Sequence, residues 1–192
     1  AGTVADIQVR NRGTIGGNVV HADPASDLPP ALTALAAFFH ISGANGDRII
    51  AAEDFFTGMF ETALSEGEIL TAVEVAAEQS GTGSAYVKLS NPASGYAMVG
   101  VAAVVTLDGG KFTAASVALG GMIPSTAKAP SVEAALVGKS LDASTIVAAA
   151  AAVQDDLGET VMSDIHASSD YRRAMTTVFV QRALEKAAER SE

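Results

Sequence analysis

The sequence predicts an α+β protein made of two units, residues 1–80 and 81–192. Three observations support this prediction. Two turn sequences, Asn45-Gly46 and Asp108-Gly109-Gly110, each lie between apolar runs, as in β-hairpins. A connector of small residues at 78–84 separates the two hairpins. The last third of the chain has helical composition, so helices should follow the strands.

The first unit is expected to contain a mixed or antiparallel sheet with short helices. The run "AAFFHISGANGDRIIAA" predicts a hairpin, and "AEDFFTGMF" after it predicts a short helix or turn. A further strand follows, because four residues at period two would form one face. These residues are Ile69, Thr71, Val73 and Val75.

The second unit is expected to contain an antiparallel sheet of about three strands packed on helices. A strand buried on both sides is predicted next, because the opposite face of an alternating apolar set is also apolar. The alternating set comprises Val99, Val101, Ala103 and Val105. Residues 112–119 form its return strand. Ser168 or Ser169 can cap a final helix that begins near Asp170. Its apolar face should comprise Tyr171, Met175, Val178, Phe179 and Ala183. Arg172 and Arg173 would pair with acidic neighbours at the surface.

Composition excludes several function classes. The net charge of −10 argues against nucleic acid and anionic membrane as partners. Without cysteine the chain can hold neither a disulfide nor an iron–sulfur cluster on thiolates. No apolar run is long enough for a membrane span, and no signal-peptide pattern is visible, so we expect a cytoplasmic protein. We expect no metal site, because the three histidines are far apart in sequence.

The segment "RGTIGGN" could bind an anion. Adjacent Gly16 and Gly17 let backbone N–H groups approach a ligand, and Thr14 and Asn18 add polar side chains. The pattern is neither the dinucleotide fingerprint nor the phosphate-binding loop with its lysine. A plain structural turn and an anion site therefore both stay open.

Asp27 also has two interpretations. In Asp27-Leu28-Pro29-Pro30 it is suited to cap a helix whose first turn contains proline. Alternatively, its carboxylate could accept hydrogen bonds from a sugar hydroxyl beside a bound pyrophosphate. A phosphate-binding segment followed by such a carboxylate is typical of a nucleotide-cofactor site.

Three long segments resemble one family. These are "VRNRGTIGGNVVHADPASDLPPALTAL", "YVKLSNPASGYAMVGVAAVVTL" and "IHASSDYRRAMTTVFVQRALEKA". They resemble, in the same order, parts of the FAD-binding medium subunit of molybdenum hydroxylases, the group of aerobic carbon monoxide dehydrogenases and xanthine dehydrogenases. The resemblance implies that residues 1–80 are the second part of a flavin domain and residues 81–192 the C-terminal domain of the subunit.

The resemblance also implies the site residues, none of which acts as a catalytic acid, base or nucleophile. The pyrophosphate and flavin edge would lie against Thr14, Ile15, Gly16, Gly17 and Asn18. Asp27 would reach the ribityl or ribose hydroxyls, and Lys88 and Tyr96 would lie near the isoalloxazine. The family's usual N-terminal subdomain, with its own glycine-rich loop, has no counterpart here. We therefore expect weakened or lost FAD affinity and no activity from the chain alone.

By resemblance the chain is an oxidoreductase subunit that transfers electrons. Its FAD would receive electrons from [2Fe–2S] clusters on a small subunit, after a molybdenum-binding large subunit has oxidised the substrate, and would pass them to an external acceptor. The alternative is a flavin-free module that only docks to these subunits. In either case we expect apolar patches, which the isolated chain exposes or buries by self-association.

Overall fold

A computed structural model describes residues 2–191. Within this range the chain folds into two main antiparallel sheets flanked by helices. The helices are α1 Ile7–Arg12, α2 Ile15–His21, α3 Leu28–Ala34, α4 Ala52–Phe55, α5 Pro130–Leu136, α6 Ala143–Asp156 and α7 Ser169–Glu189. The strands are β1 Phe38–Gly43, β2 Gly46–Ala51, β3 Phe56–Gly58, β4 Glu61–Thr62, β5 Ile69–Glu74, β6 Thr82–Ser90, β7 Ala97–Asp108, β8 Lys111–Gly120 and β9 Ala127–Lys128.

The first sheet has the strand order β2-β1-β5, and all its pairs are antiparallel. The predicted hairpin is confirmed as β1 and β2, with Gly43 paired to Gly46. Ala44 and Asn45 form the two-residue turn. Gly46 has φ +106°, which glycine adopts without strain. A small separate pair, β3 and β4, follows α4.

The prediction that Ile69, Thr71, Val73 and Val75 share one face of β5 is wrong. The pairing of β1 with β5 shifts register between His40 and Ile41, so Thr71 is bulged out of the alternation. Thr71 Oγ1 donates a hydrogen bond to the His40 carbonyl at 3.0 Å. Leu70 and Val73 pack on the core, whereas Ile69 is 67% exposed.

The inner face of the first sheet is closed by aromatic side chains and by α2 to α4. Phe39, Phe55 and Phe56 meet edge to face, with the Phe39 and Phe55 ring centroids 4.7 Å apart. Val19 of α2 and Leu32 of α3 are buried in the same cluster. This packing fixes α2 against the sheet.

The second sheet confirms the predicted antiparallel architecture and has four strands, in the order β6-β7-β8-β9. β7 and β8 form the predicted hairpin. Gly109 and Gly110 have φ values of +55° and +73°, the signs that a type I′ turn requires at both central positions. β7 is buried on both sides, as expected.

Helices cover both faces of the second sheet. α5, α6 and α7 cover one face, where Val99, Val101, Phe112 and Leu119 join the large core. α3 lies on the other face, where Ala34 packs on alanines of β7 and β8. Three further hydrogen bonds hold the α3 region to this sheet. They run from Ser116 Oγ to Ala34 O at 2.7 Å, from Gly121 N to Pro24 O at 2.7 Å and from Ala97 N to Ala25 O at 3.1 Å.

The final helix begins as predicted, but its buried face differs from the prediction. Ser168 is the N-cap, and its hydroxyl accepts the Tyr171 N–H. Tyr171 and Val178 are 46% and 37% exposed. The buried face is rotated from the predicted one and comprises Arg172, Thr176, Phe179, Val180, Ala183, Leu184, Ala187 and Ala188.

The surface position predicted for Arg172 is wrong. Its side chain is buried, and Nη1 donates to the carbonyls of Met98 at 2.8 Å and Gly121 at 2.7 Å. Nη2 donates to the Asp164 carboxylate. The buried guanidinium is stable because both Nη1 and Nη2 donate to hydrogen-bond acceptors. Arg172 therefore joins α7, the ends of β7 and β8, and the loop before α7.

Candidate functional site

The segment Thr14–Asn18 forms the start of helix α2. Thr14 is the N-cap, and its Oγ1 accepts the Gly17 N–H at 3.0 Å. The Asn18 N–H bonds to the Thr14 carbonyl at 3.0 Å. Among residues 2–191 the N–H groups of Ile15 and Gly16 have no acceptor. This end of α2 therefore offers free donors and the positive end of the helix dipole.

The two glycines have different roles. A Cβ on Gly16 would meet nothing within 4 Å, so this position faces open space. A Cβ on Gly17 would lie 2.9 Å from Thr14 Oγ1, so this position faces the capping hydroxyl. Gly16 therefore leaves room for a group to approach the backbone, whereas Gly17 faces the cap; contact with a ligand at either glycine stays a prediction.

A cavity of about 380 Å³ opens beside the start of α2. This volume lies at the lower end of the roughly 300–1,000 Å³ typical of ligand pockets. Thr14, Ile15 and Asn18 line one side of it, and the lining residues from the N-terminal segment and α3 are Gly2, Val4, Val9, Arg10, Gly13 and Leu28. Asn18 Oδ1 accepts a hydrogen bond from Ser26 Oγ at 2.6 Å, which fixes the amide.

Asp27 lies at the N-cap position of α3 but makes no capping hydrogen bond. A capping side chain accepts from the second or third helical N–H, and here Pro29 and Pro30 provide neither. The carboxylate instead accepts from Tyr86 Oη at 2.7 Å and from Lys88 Nζ at 2.6 Å. The capping interpretation is therefore wrong.

Lys88 uses all three ammonium protons. Besides Asp27, Nζ donates to the carbonyls of Thr3 at 2.8 Å and Gly95 at 2.6 Å. Its side chain is 8% exposed and that of Asp27 is 6% exposed, so the ion pair is buried. A buried ion pair is tolerated when the remaining ammonium protons are also hydrogen-bonded, as they are for Lys88.

Tyr96 lies beside this ion pair. It lines a narrow gap together with Asn18 and Asp27, next to the larger cavity. Burial raises the pKa of its phenol, and the carboxylates of Asp23, Asp6 and Asp27 raise it further. Asn18 borders both the cavity and the gap, and Lys88 is linked to the gap through Asp27. With Gly16 and Gly17 next to Asn18 in α2, the eight predicted residues lie in one region.

The sequence interpretation missed Tyr86. It precedes Lys88 by two positions on β6, so both side chains leave the same face of the sheet and reach Asp27. The period-two spacing of a tyrosine and a lysine was visible in the sequence. The carboxylate that they share lies 59 and 61 positions away, and no local pattern indicates that contact.

Residues 2–191 contain no group of three or more histidine or carboxylate side chains placed to hold a metal ion. Over the same range no helix is both long and apolar enough to cross a bilayer.

Two protein families match the chain. The family described as FAD binding domain in molybdopterin dehydrogenase matches residues 1–77. The family described as CO dehydrogenase flavoprotein C-terminal domain matches residues 84–187. The predicted division at residue 80 stays a prediction.

Individual relatives agree with these families. The carbon monoxide dehydrogenase medium chain of Afipia carboxidovorans is 36% identical over 191 residues, which cover 98% of this chain and 65% of that one. The glyceraldehyde dehydrogenase medium chain of Sulfolobus acidocaldarius is 38% identical over 186 residues, covering 97% and 65%. The chain therefore spans about 65% of the length of these relatives.

A solved structure of a carbon monoxide dehydrogenase also matches the chain. The carbon monoxide dehydrogenase from Hydrogenophaga pseudoflava that lacks the Mo-pyranopterin moiety of its cofactor superposes with a TM-score of 0.91 and 39% identity. The match covers 96% of this chain and 64% of that one. The families and relatives together indicate FAD as the cofactor. The chain belongs to the FAD-binding medium subunits of the molybdenum hydroxylase family.

Proposed function

We propose that the chain holds FAD in an electron-transfer subunit of a molybdenum hydroxylase. FAD would receive electrons from [2Fe–2S] clusters on a small subunit and pass them to an external acceptor, while a large subunit carries the molybdenum centre. The observation that supports this proposal most is the position of the α2 N-terminus at a cavity that also borders Asn18, next to the buried pair of Asp27 and Lys88.

The residues present fit FAD in chemical character. The free N–H groups of Ile15 and Gly16 suit phosphate oxygens, and the open space at Gly16 allows them to approach the backbone. The apolar cavity wall suits a ring system. We propose that residues 14–18 hold the pyrophosphate and flavin edge, and that Asp27 accepts from a ribityl or ribose hydroxyl through a lone pair not used by Tyr86 or Lys88.

Lys88 and Tyr96 complete the proposed site. The ammonium of Lys88, fixed by two carbonyls and a carboxylate, would place positive charge near the isoalloxazine, and Tyr96 would lie beside it. Bound FAD supplies the redox chemistry, exchanging electrons with a donor and an acceptor. The role of the protein would be to bind and orient FAD and to exclude water. No side chain here needs to act as an acid or base on the organic substrate.

Docking to partner subunits without flavin is the second candidate function. The outer face of the first sheet exposes Phe38, Ile49 and Ile69, at 47%, 58% and 67% of their surface. Register places His40 opposite Ile49 and Ser42 opposite Ile69, so these side chains share one face. Exposed apolar surface of this kind is typical of an interface.

The substitution Gly16→Ala tests the proposed flavin role. Alanine is about 0.5–1 kcal/mol better than glycine within a helix, and a Cβ here meets nothing in the protein, so the variant should unfold at a higher temperature. The same methyl group would obstruct a pyrophosphate at the N–H groups. We therefore expect weaker FAD binding, measured by flavin fluorescence, together with higher stability.

The matched comparison is Ala22→Gly at the end of the same helix. Ala22 has φ +50°, so glycine there is also expected to stabilise, and the position lies outside the proposed site. FAD affinity should then be unchanged. If Gly16→Ala binds FAD as tightly as the parent protein, the α2 N-terminus does not hold the cofactor. A colourless protein that fails to take up added FAD would favour docking alone.

A further inference from the structure

Tyr86 is built into the sheet beside the buried ion pair. Its ring packs with Ala34, Ala102 and Ala118 between α3 and the second sheet. Gly100 on the paired strand leaves room for the phenol, because a Cβ on Gly100 would lie 2.5 Å from Tyr86 Oη. The hydroxyl therefore points in a fixed direction, toward Asp27 Oδ1 at 2.7 Å.

The orientation of the Asp27 carboxylate depends on the Tyr86 hydroxyl, because no backbone N–H of α3 caps it. The prolines after it remove the backbone donors that would otherwise hold a carboxylate at this position. Within residues 2–191 its carboxylate accepts hydrogen bonds from the Tyr86 hydroxyl on one oxygen and from the Lys88 ammonium on the other. Burial raises the pKa of Tyr86 well above its usual value, and the neighbouring Asp27 raises it further, so the phenol stays protonated and donates.

We propose that Tyr86 is a positioning residue for FAD binding, and that its hydroxyl holds the Asp27 carboxylate in the orientation that fixes Lys88. This inference rests on the proposed contacts of Asp27 and Lys88 with FAD. Tyr86 itself does not touch the cofactor. Without the hydroxyl, the carboxylate is free to rotate about its side-chain bonds, and the Lys88 ammonium loses a fixed partner.

The experiment is a double-mutant cycle with two measurements. Tyr86→Phe keeps the ring and removes the hydroxyl, Asp27→Ala removes the carboxylate that accepts from it, and the double variant combines them. FAD affinity is measured on the full-length protein purified from its host organism. The acylation rate of Lys88 is measured by mass spectrometry without FAD, with exposed Lys111 of the same chain as the internal reference. Tyr171→Phe, at an exposed tyrosine, is the matched control.

We expect Tyr86→Phe to weaken FAD binding about tenfold, because binding must then order the Asp27 carboxylate and the Lys88 ammonium, which the hydroxyl no longer holds in place. In the Asp27→Ala background the same change should have little further effect, because the hydroxyl no longer has a carboxylate to hold. Lys88 should be acylated several times faster in Tyr86→Phe, with Lys111 unchanged. A purely structural role would lower the unfolding temperature but would not make the two substitutions non-additive in FAD affinity.

The outcomes separate the two proposals. If Asp27→Ala weakens FAD binding but Tyr86→Phe does not, the positioning role is wrong and the proposed contact of Asp27 stands. If Asp27→Ala binds FAD normally, Asp27 is not part of the flavin site, and both assignments fail. Equal losses from Tyr86→Phe in both backgrounds, with Lys88 still protected, would also overturn the inference.

Discussion

Replacing Arg172 with methionine should destabilise the protein strongly. Methionine keeps much of the aliphatic length but donates no hydrogen bond, so the carbonyls of Met98 and Gly121 lose their donor. A buried polar group left without a partner costs about 1–3 kcal/mol. The pair with Asp164 adds little, because that carboxylate is 47% exposed and water can replace the guanidinium. We expect a loss of about 2–5 kcal/mol, a large part of the total for a domain.

The assay is urea unfolding of Arg172→Met and of its neighbour Arg173→Met. Arg173 donates to the carbonyl of Gly158 at the surface, where water can take its place. We expect the control substitution to cost less than about 1 kcal/mol. Equal costs for the two variants, or a loss below about 1 kcal/mol for Arg172→Met, would refute the reasoning that the two carbonyls depend on this guanidinium.

Two further predictions concern packing and charge. A Cβ on Gly83 would lie 2.1 Å from the Ala187 carbonyl oxygen and 2.5 Å from the Ser191 nitrogen, so Gly83→Ala should cost about 1–3 kcal/mol in urea unfolding. Unchanged stability would mean that the end of α7 moves freely. The hydrogen bond from Arg48 lowers the pKa of Glu68 to about 2 from a usual 4.5. This pair therefore stabilises the fold above pH 4.5 and loses that effect as pH falls toward 2. Glu68→Gln should flatten the pH dependence of stability in that window, and an unchanged acid profile would contradict the assignment.

Both hairpins could be predicted because their cause is local. Glycine at Gly46, Gly109 and Gly110 adopts positive φ angles, and the apolar runs on either side supply the strands. The same holds for the final helix, since the Ser168 cap lies directly before its first turn. In these cases neighbouring residues determine the structure, so a single sequence is sufficient.

The missed features depend on contacts that are distant in sequence. The bulge at Thr71 arises from pairing with β1, about thirty positions earlier, and it reverses the face that simple alternation predicts. Arg172 is buried because carbonyls 74 and 51 positions away receive its protons. Sequence patterns indicate a polar residue but not its acceptors, so arginine on an amphipathic helix suggested the surface.

Asp27 is an intermediate case. The prolines that prevent capping are adjacent to it, so the wrong capping interpretation could have been avoided from local chemistry alone. The replacement partners, Tyr86 and Lys88, required the tertiary structure. The position of the candidate site was therefore predictable in part, whereas its hydrogen-bond network was not.

The attachment of α3 to the second sheet has a consequence for recombination. Chimeras between relatives can be joined at the connector between the two sheets, which here is residues 75–81. Such a junction would take α3 from one parent and β7 and β8 from the other. Ala34, Ala102 and Ala118 meet at that contact, and a larger side chain from either parent would force the helix away from the strands. A functional exchange should therefore transfer α3 together with the C-terminal sheet, even though 47 residues of chain separate α3 from β6.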